Sequence, residues 1–248
     1  MRTFLRHLAA LSALLGVPGT ALAGLVTFDA LNPSYGAYAP SLPFLAHGDV
    51  VVEGNYAIGL ASTKAGAQLG DLVGAVLDGS DPFSCFNVTC PGNNATNYLA
   101  LLNDGLPYLF RLDGGLFRLN QFDASFIAAD GVNVLATAML LRVMGYVGGS
   151  LLMQEDVFLP GPDNGDYDFK TYAMSSAFAG GAFDQVDFVG YACTTPSTCT
   201  RNLNQAQFGL DNITMADTNA VPEPATLALV CAGLMGLRLS RRRVATTA

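Results

Sequence analysis

Tryptophan is absent from this 248-residue chain, histidine occurs twice, and charged residues make up only 13% of it. Each shortage removes a class of chemistry. Once the first 23 residues are set aside as a leader, the single histidine is His47, in "AHGD". A Ser-His-Asp triad would need it, and no G-x-S-x-G elbow stands anywhere to partner it. No phosphate-binding loop, dinucleotide fingerprint or H-E-x-x-H appears. Without tryptophan, the broadest ring for stacking on sugars is also missing. Basic residues are scarce too. Between Gly24 and Pro224 only Lys64, Arg111, Arg118, Arg142, Lys170 and Arg201 stand against all 20 acidic residues, a net charge of −14. That sign repels phosphate backbones and anionic lipid, so nucleic acid is excluded as a partner, while divalent cations and neutral polysaccharides are admitted. The expectation is a non-catalytic protein. The alternatives are a carbohydrate-active hydrolase, which needs only two carboxylates, and a simple membrane-anchored surface protein.

Both ends carry processing signals. "MRTFLRHLAALSALLGVPGTALAG" runs from Arg2 and Arg6 through an apolar stretch, Leu8 to Val17, to the small residues Ala21-Leu22-Ala23. This is the order of a secretory signal peptide, residues 1–23, cleaved after Ala23 and handled by the Sec export machinery. The five cysteines agree with an oxidising destination. Cys85 and Cys90 in "CFNVTC", and Cys193 and Cys199 in "CTTPSTC", read as two local disulfides, with Cys231 left over.

The body, residues 24–219, is rich in short segments that alternate apolar and polar. "GLFRLNQFDASF" sets Leu116, Arg118, Asn120, Phe122 and Ala124 on one side of an extended chain and Phe117, Leu119 and Gln121 on the other. "FDQVDFVGY" likewise separates Phe183, Gln185, Asp187, Val189 and Tyr191 from Asp184, Val186, Phe188 and Gly190. Gly-, Asn-, Asp- and Pro-rich turns such as "DGSDPF" and "LPGPDNGD" punctuate about ten such strands. With no repeat of fixed period, the pattern predicts one all-β domain, an antiparallel, jelly-roll-like β-sandwich. A helical turn is admitted only within "FIAADGVNVLATAMLL".

Calcium is the cofactor the acidic residues suggest. "PDNGDYD" places Asp163, Asp166 and Asp168 around a tight turn, without the closing Glu of an EF-hand loop. A second pair joins the domain's ends: Asp29 in "TFDALNPS" and Asp211 in "FGLDNIT". These two strands resemble those of jelly-roll modules, such as MAM-like and carbohydrate-binding domains. That resemblance implies first and last strands that pair and share a cation at Asp29 and Asp211. The bland reading leaves both Asp side chains capping strand ends.

The tail, residues 220–248, carries the most specific signal. After Pro222-Glu223-Pro224 comes an uncharged apolar run, Ala225 to Leu237, only 13 residues long, then Arg238 and the cluster Arg241, Arg242 and Arg243. As a helix that run rises about 20 Å, short of a hydrocarbon core of about 30 Å. Its arginines would stay in the cytoplasm by the positive-inside rule. The tail is similar to the PEP-CTERM sorting signal. The resemblance implies an exosortase that recognises Pro222, Glu223 and Pro224 at the inner membrane of a Gram-negative bacterium, removes the helix, and delivers the protein to the cell surface or an exopolysaccharide matrix. The body segments "GSDPFSCFNVTCPGNNATNY" and "FGLDNI" resemble an uncharacterised group of PEP-CTERM β-sandwich proteins, which supplies no activity.

Overall fold

The computed structural model describes residues 23–31, 43–81, 84, 88–89, 91–102, 104–129, 138–161, 167–195, 198–201 and 206–218. Ala23–Thr218 forms one compact unit. Its strands in chain order are β1 (Ala23–Val26), β2 (Phe44–Ala46), β3 (Val50–Glu53), β4 (Tyr56–Ser62), β5 (Leu72–Asp78), β6 (Val88–Thr89), β7 (Asn97–Leu101) and β8 (Gly105–Arg111). There follow β9 (Phe117–Ala129), β10 (Ala138–Val147), β11 (Ser150–Pro160), β12 (Lys170–Ala173), β13 (Gln185–Thr195), β14 (Thr198–Thr200) and β15 (Gln207–Asp217). One short helix, α1 (Ser176–Gly180), lies between β12 and β13.

Two antiparallel sheets face each other. The first runs β12-β9-β15-β7-β5-β2, with β1 also on β15 and β6 on β9; the second runs β11-β10-β13-β8-β4-β3, with β14 on β13. The predicted all-β sandwich is what forms. Alternation explains the layering, because every second side chain of a strand points to the same face. Phe117, Leu119, Phe122, Phe126 and Leu210 from the first sheet meet Ile58, Leu109, Val143 and Phe188 from the second in one core. The Phe122 and Phe188 rings pack edge to face across the layers, 5.2 Å between centroids. Each such ring contributes roughly 1.5–3 kcal/mol by leaving water.

The strict alternation expected of β9 does not hold. Phe117 and Leu119 are buried, and so are Phe122, Ala124 and Phe126. The register against β15 slips between Gln121 and Leu119, so that β9 spends an extra residue, Asn120, there. Such a bulge turns the following side chains to the other face, which is how two runs of opposite parity both reach the core. In β13 the expected alternation holds: Val186 and Phe188 point inward with the core. Phe183 departs from its predicted companions. It precedes the strand, is fully buried, and bridges Phe117.

Helix α1 answers to no expectation from the sequence, and no helix is found where one was admitted: β9 and β10 occupy the described part of that stretch. Ser175 caps α1, its Oγ accepting the Phe178 N–H at 3.2 Å. Glu155 on β11 accepts the Ser175 hydroxyl at 2.6 Å, and Phe178 packs on Phe183 at 4.9 Å. Among the described residues, no helix is long and apolar enough to cross a membrane.

Candidate functional site

Strand β15 changes partner midway. Phe208 to Leu210 pair with Leu101 to Leu99 of β7, whereas Ile213 to Ala216 pair with Val26 to Ala23 of β1. Asp211 and Asn212 fall in the gap. On the other flank Asp211 lies opposite Asp123 of β9, and the register then slips before Thr214. Asn212 takes up the slack with a left-handed backbone, φ 48°, which asparagine tolerates better than most residues.

This break gathers three carboxylates. Asp211 is 1% exposed. One of its oxygens accepts the Asn212 N–H at 2.7 Å; the other accepts Asn94 Nδ2 at 2.9 Å, Asn212 Nδ2 at 3.3 Å and the Thr96 hydroxyl at 3.4 Å. Asp123 accepts the same Asn212 amide at 2.9 Å and the Thr171 hydroxyl at 2.6 Å. Asp29, just past β1, accepts the Asn97 N–H at 3.0 Å and so caps the start of β7. Burial pushes the Asp211 carboxyl up to about 6; the Asn94 and Asn212 hydrogen bonds pull it down, and the nearby charges of Asp123 and Asp29 push it up further.

The arrangement brings Asp29 and Asp211 to one neighbourhood, as the sequence suggested, and adds Asp123. It does not assemble a calcium shell. Both oxygens of the Asp211 carboxylate already accept hydrogen bonds, one from the Asn212 N–H and the other from the Asn94 and Asn212 amides. Among the described residues, no three Asp, Glu, His or Cys side chains converge as metal ligands. The donor set fits a hydrogen-bonded splice between strands. Nor does it fit a glycosidase pair: Asp123 and Asp211 share one amide nitrogen, but Asp211 is sealed beneath Asn94, Thr96 and Asn212, where no substrate oxygen reaches it.

Other predicted positions fall out as follows. Asp168 is exposed, beside the bridge of Tyr167 to Pro91. Asp163 and Asp166 lie outside the described residues, as do Cys85, Cys90, Pro222, Glu223, Pro224, Arg241, Arg242 and Arg243. Cys193 and Cys199 form the expected disulfide, which ties β14 to β13. A second polar cluster went unremarked in the sequence. Arg111, 8% exposed, forks onto Asp113 (Nε at 2.9 Å, Nη2 at 2.5 Å) and reaches Asp217 with Nη1 at 2.9 Å. Asp217 also accepts the Tyr56 hydroxyl at 2.6 Å. The fork holds the Asp113 carboxyl well below the usual range, and burial raises the Tyr56 phenol. "RLD" and a lone distant tyrosine give no warning of this cluster, because Tyr56 and Arg111 meet through the pairing of β4 with β8 and Asp217 joins them from β15 of the first sheet.

Residues 220–243 match the PEP-CTERM protein-sorting motif. Such a motif marks a protein for export and membrane anchoring before processing, and an exosortase recognises it. No curated protein matches the chain. Among solved structures, a xylan-binding CBM22-2 domain from Paenibacillus barcinonensis is similar at 11% identity and a TM-score of 0.34, over 79% of this chain and 99% of that one. TmCBM61, solved with β-1,4-galactotriose, is similar at 9% identity and a TM-score of 0.31, over 64% of this chain and 88% of that one. The enzymatically active domain of bacteriophage CBA120 tailspike protein 4 is similar at 11% identity and a TM-score of 0.30; the match spans 66% of this chain and 19% of that one. Likenesses this weak carry no functional argument.

Proposed function

We propose that this chain, whose C-terminal motif directs it to exosortase-dependent sorting at the cell surface, is a non-catalytic β-sandwich that associates with extracellular polysaccharide. The observation that carries the reading is the sorting motif at residues 220–243, two residues beyond the turn that ends the described sandwich at Thr218. The leader takes the chain through the Sec machinery across the inner membrane of a Gram-negative bacterium. The apolar run behind Pro224 holds it at the membrane only weakly, since 13 residues would rise only about 20 Å even as a helix, against a hydrocarbon core of about 30 Å. Processing then releases an acidic domain to the surface or matrix. Its charge of −14 suits a neutral polysaccharide and disfavours nucleic acid and anionic lipid.

The test is to replace Pro222, Glu223 and Pro224 together by alanine in the full-length chain and to follow the protein in its own host. The expected result is accumulation of unprocessed protein in the membrane fraction and its loss from the matrix. An unchanged distribution would contradict the reading.

A further inference from the structure

The outer face of the second sheet is built unlike a plain solvent face. On β8, Leu106, Tyr108 and Phe110 alternate with the buried Pro107, Leu109 and Arg111. On β13, Gln185, Asp187, Val189 and Tyr191 share the same outward side. Register sets Tyr108 opposite Asp187 and Phe110 opposite Gln185; on the far flank of β13, Met144 lies opposite Asp187 and Tyr146 opposite Gln185. Paired residues of neighbouring strands occupy one face, so these side chains are neighbours. Phe110 and Tyr146, both level with Gln185, stand two strand spacings apart, about 10 Å.

Three features of this face ask for an explanation. Tyr108 lies directly over Gly59, where an added Cβ would come within 2.1 Å of its ring. Glycine inside a strand costs roughly 0.5–1 kcal/mol, and here it lets an aromatic ring settle against the backbone. The Phe110 ring lies beside it, nearly parallel at 18° and 5.9 Å between centroids. Asp187 is 8% exposed among these rings and, among the described residues, hydrogen-bonds only to Gln185 Nε2, at 2.7 Å. Among the described residues, no cation stands within ion-pair distance of it. By contrast Asp156, on the same face, holds Arg142 at 2.7 and 2.8 Å. Burial drives the Asp187 carboxyl upward and the Gln185 bond draws it partly back. Its second oxygen, unlike Asp104 Oδ2, is not buried without a partner, so it keeps acceptor capacity open to the outside of the face.

We propose that this face binds a neutral polysaccharide chain, with Tyr108 and Phe110 stacking on the C–H faces of its sugar rings and Asp187, steadied by Gln185, accepting hydrogen bonds from its hydroxyls. The occupant follows from the chemistry. A pyranose is flat and apolar on its face and rich in O–H donors on its rim, so it meets parallel rings and an unspent carboxylate at once. An acidic polysaccharide would bring its charge against Asp187, and an apolar protein surface would bury Asp187 without a donor. The inference rests on the proposed association with polysaccharide and names where it occurs.

The test is affinity electrophoresis of the processed protein purified from its host, in gels containing the neutral polysaccharide of the host's own matrix, xylan or galactan, with alginate as the acidic comparison. Tyr108→Ala and Asp187→Asn are run beside wild type, with Phe44→Ser, half-exposed on β2 of the first sheet, as the control. Urea midpoints establish that each variant is folded, and the near-isosteric Asp187→Asn keeps the test open if Tyr108→Ala fails to fold. The expected result is retardation of wild type in a neutral gel, at least about a tenfold loss of affinity in each variant, and no change in the control. Folded variants that bind as wild type does would overturn this site while leaving the association with polysaccharide standing. A wild-type protein retarded by none of the neutral polysaccharides, or by alginate alone, would overturn both.

Discussion

Glu53 holds the chain at the point where Phe28 turns: its Oε2 accepts the backbone N–H of Phe28 at 2.8 Å and that of Thr27 at 3.0 Å. Its other oxygen accepts the Thr27 hydroxyl at 2.8 Å. Phe28 sits at φ 62° with its ring 1% exposed, an unusual backbone for a bulky residue. Glu53 belongs to β3 of the second sheet and Thr27 follows β1 of the first, so one carboxylate latches the sheets together at the start of the domain. Glu53→Ala leaves two N–H groups without their acceptor and is expected to cost about 2–4 kcal/mol in urea unfolding, against a smaller loss for Glu53→Gln, which keeps one oxygen. Equal losses in both variants would contradict the latch.

Tyr56 and Gly24 compete for one place. An added Cβ at Gly24 would lie 2.2 Å from the Tyr56 ring, which is itself fixed by its hydroxyl on Asp217. Gly24→Ala is expected to lower stability by about 1–3 kcal/mol through this overpacking. In a double-mutant cycle with Tyr56→Ala, most of that loss should disappear. Simple additivity would show that the crowding lies elsewhere.

Asp211 gives the domain a pH dependence of unusual sign. Its carboxyl, raised to about 6 mainly by burial, holds its proton more tightly in the folded protein than in the unfolded chain, where about 3.9 is usual. The stability it contributes is therefore present below about pH 4 and is lost as pH rises through about 6. Asp156, lowered by Arg142, acts in the opposite sense and loses its contribution as pH falls. Relative to Asp211→Asn, wild type is expected to be more stable at pH 5 than at pH 7 by urea midpoints. A difference that does not vary with pH would contradict the assignment.

The Cys193–Cys199 bridge closes a short loop on a strand that is already paired along β10. Replacing both cysteines by alanine is expected to cost about 2 kcal/mol and to leave the transition cooperative. Loss of the folded state would show that the bridge holds more than the β13–β14 turn.

The parts of the fold that sequence reveals are those governed by neighbours along the chain. Within "FDQVDFVGY" the expected parity places Val186 and Phe188 inward, as β13 does. β5, "LVGAVLD", is a continuous apolar run with no period to distinguish strand from helix. β11 sits at a sheet edge, where Leu151, Leu152 and Phe158 stay exposed and blur the pattern. The Asn120 bulge depends on the partner strand, so β9 alone does not announce it. The same division holds for the sites. Asp29 and Asp211 are suggestive as the two ends of one domain, but Asp123 joins them only through the β9–β15 register. Tyr108 and Asp187 are 79 positions apart in sequence and become neighbours only because β8 pairs with β13. Asn94 reaches Asp211 across 117 positions, a donor that nothing in "NNAT" announces.

If the tail is a sorting device, the sandwich alone reaches the surface. Intact mass of the native protein, taken separately from the membrane and extracellular-matrix fractions, tests it most directly. The expected result is a matrix species that begins at Gly24 and ends near Pro224. A chain that retains its tail through Ala248 and occurs only in membranes would contradict it.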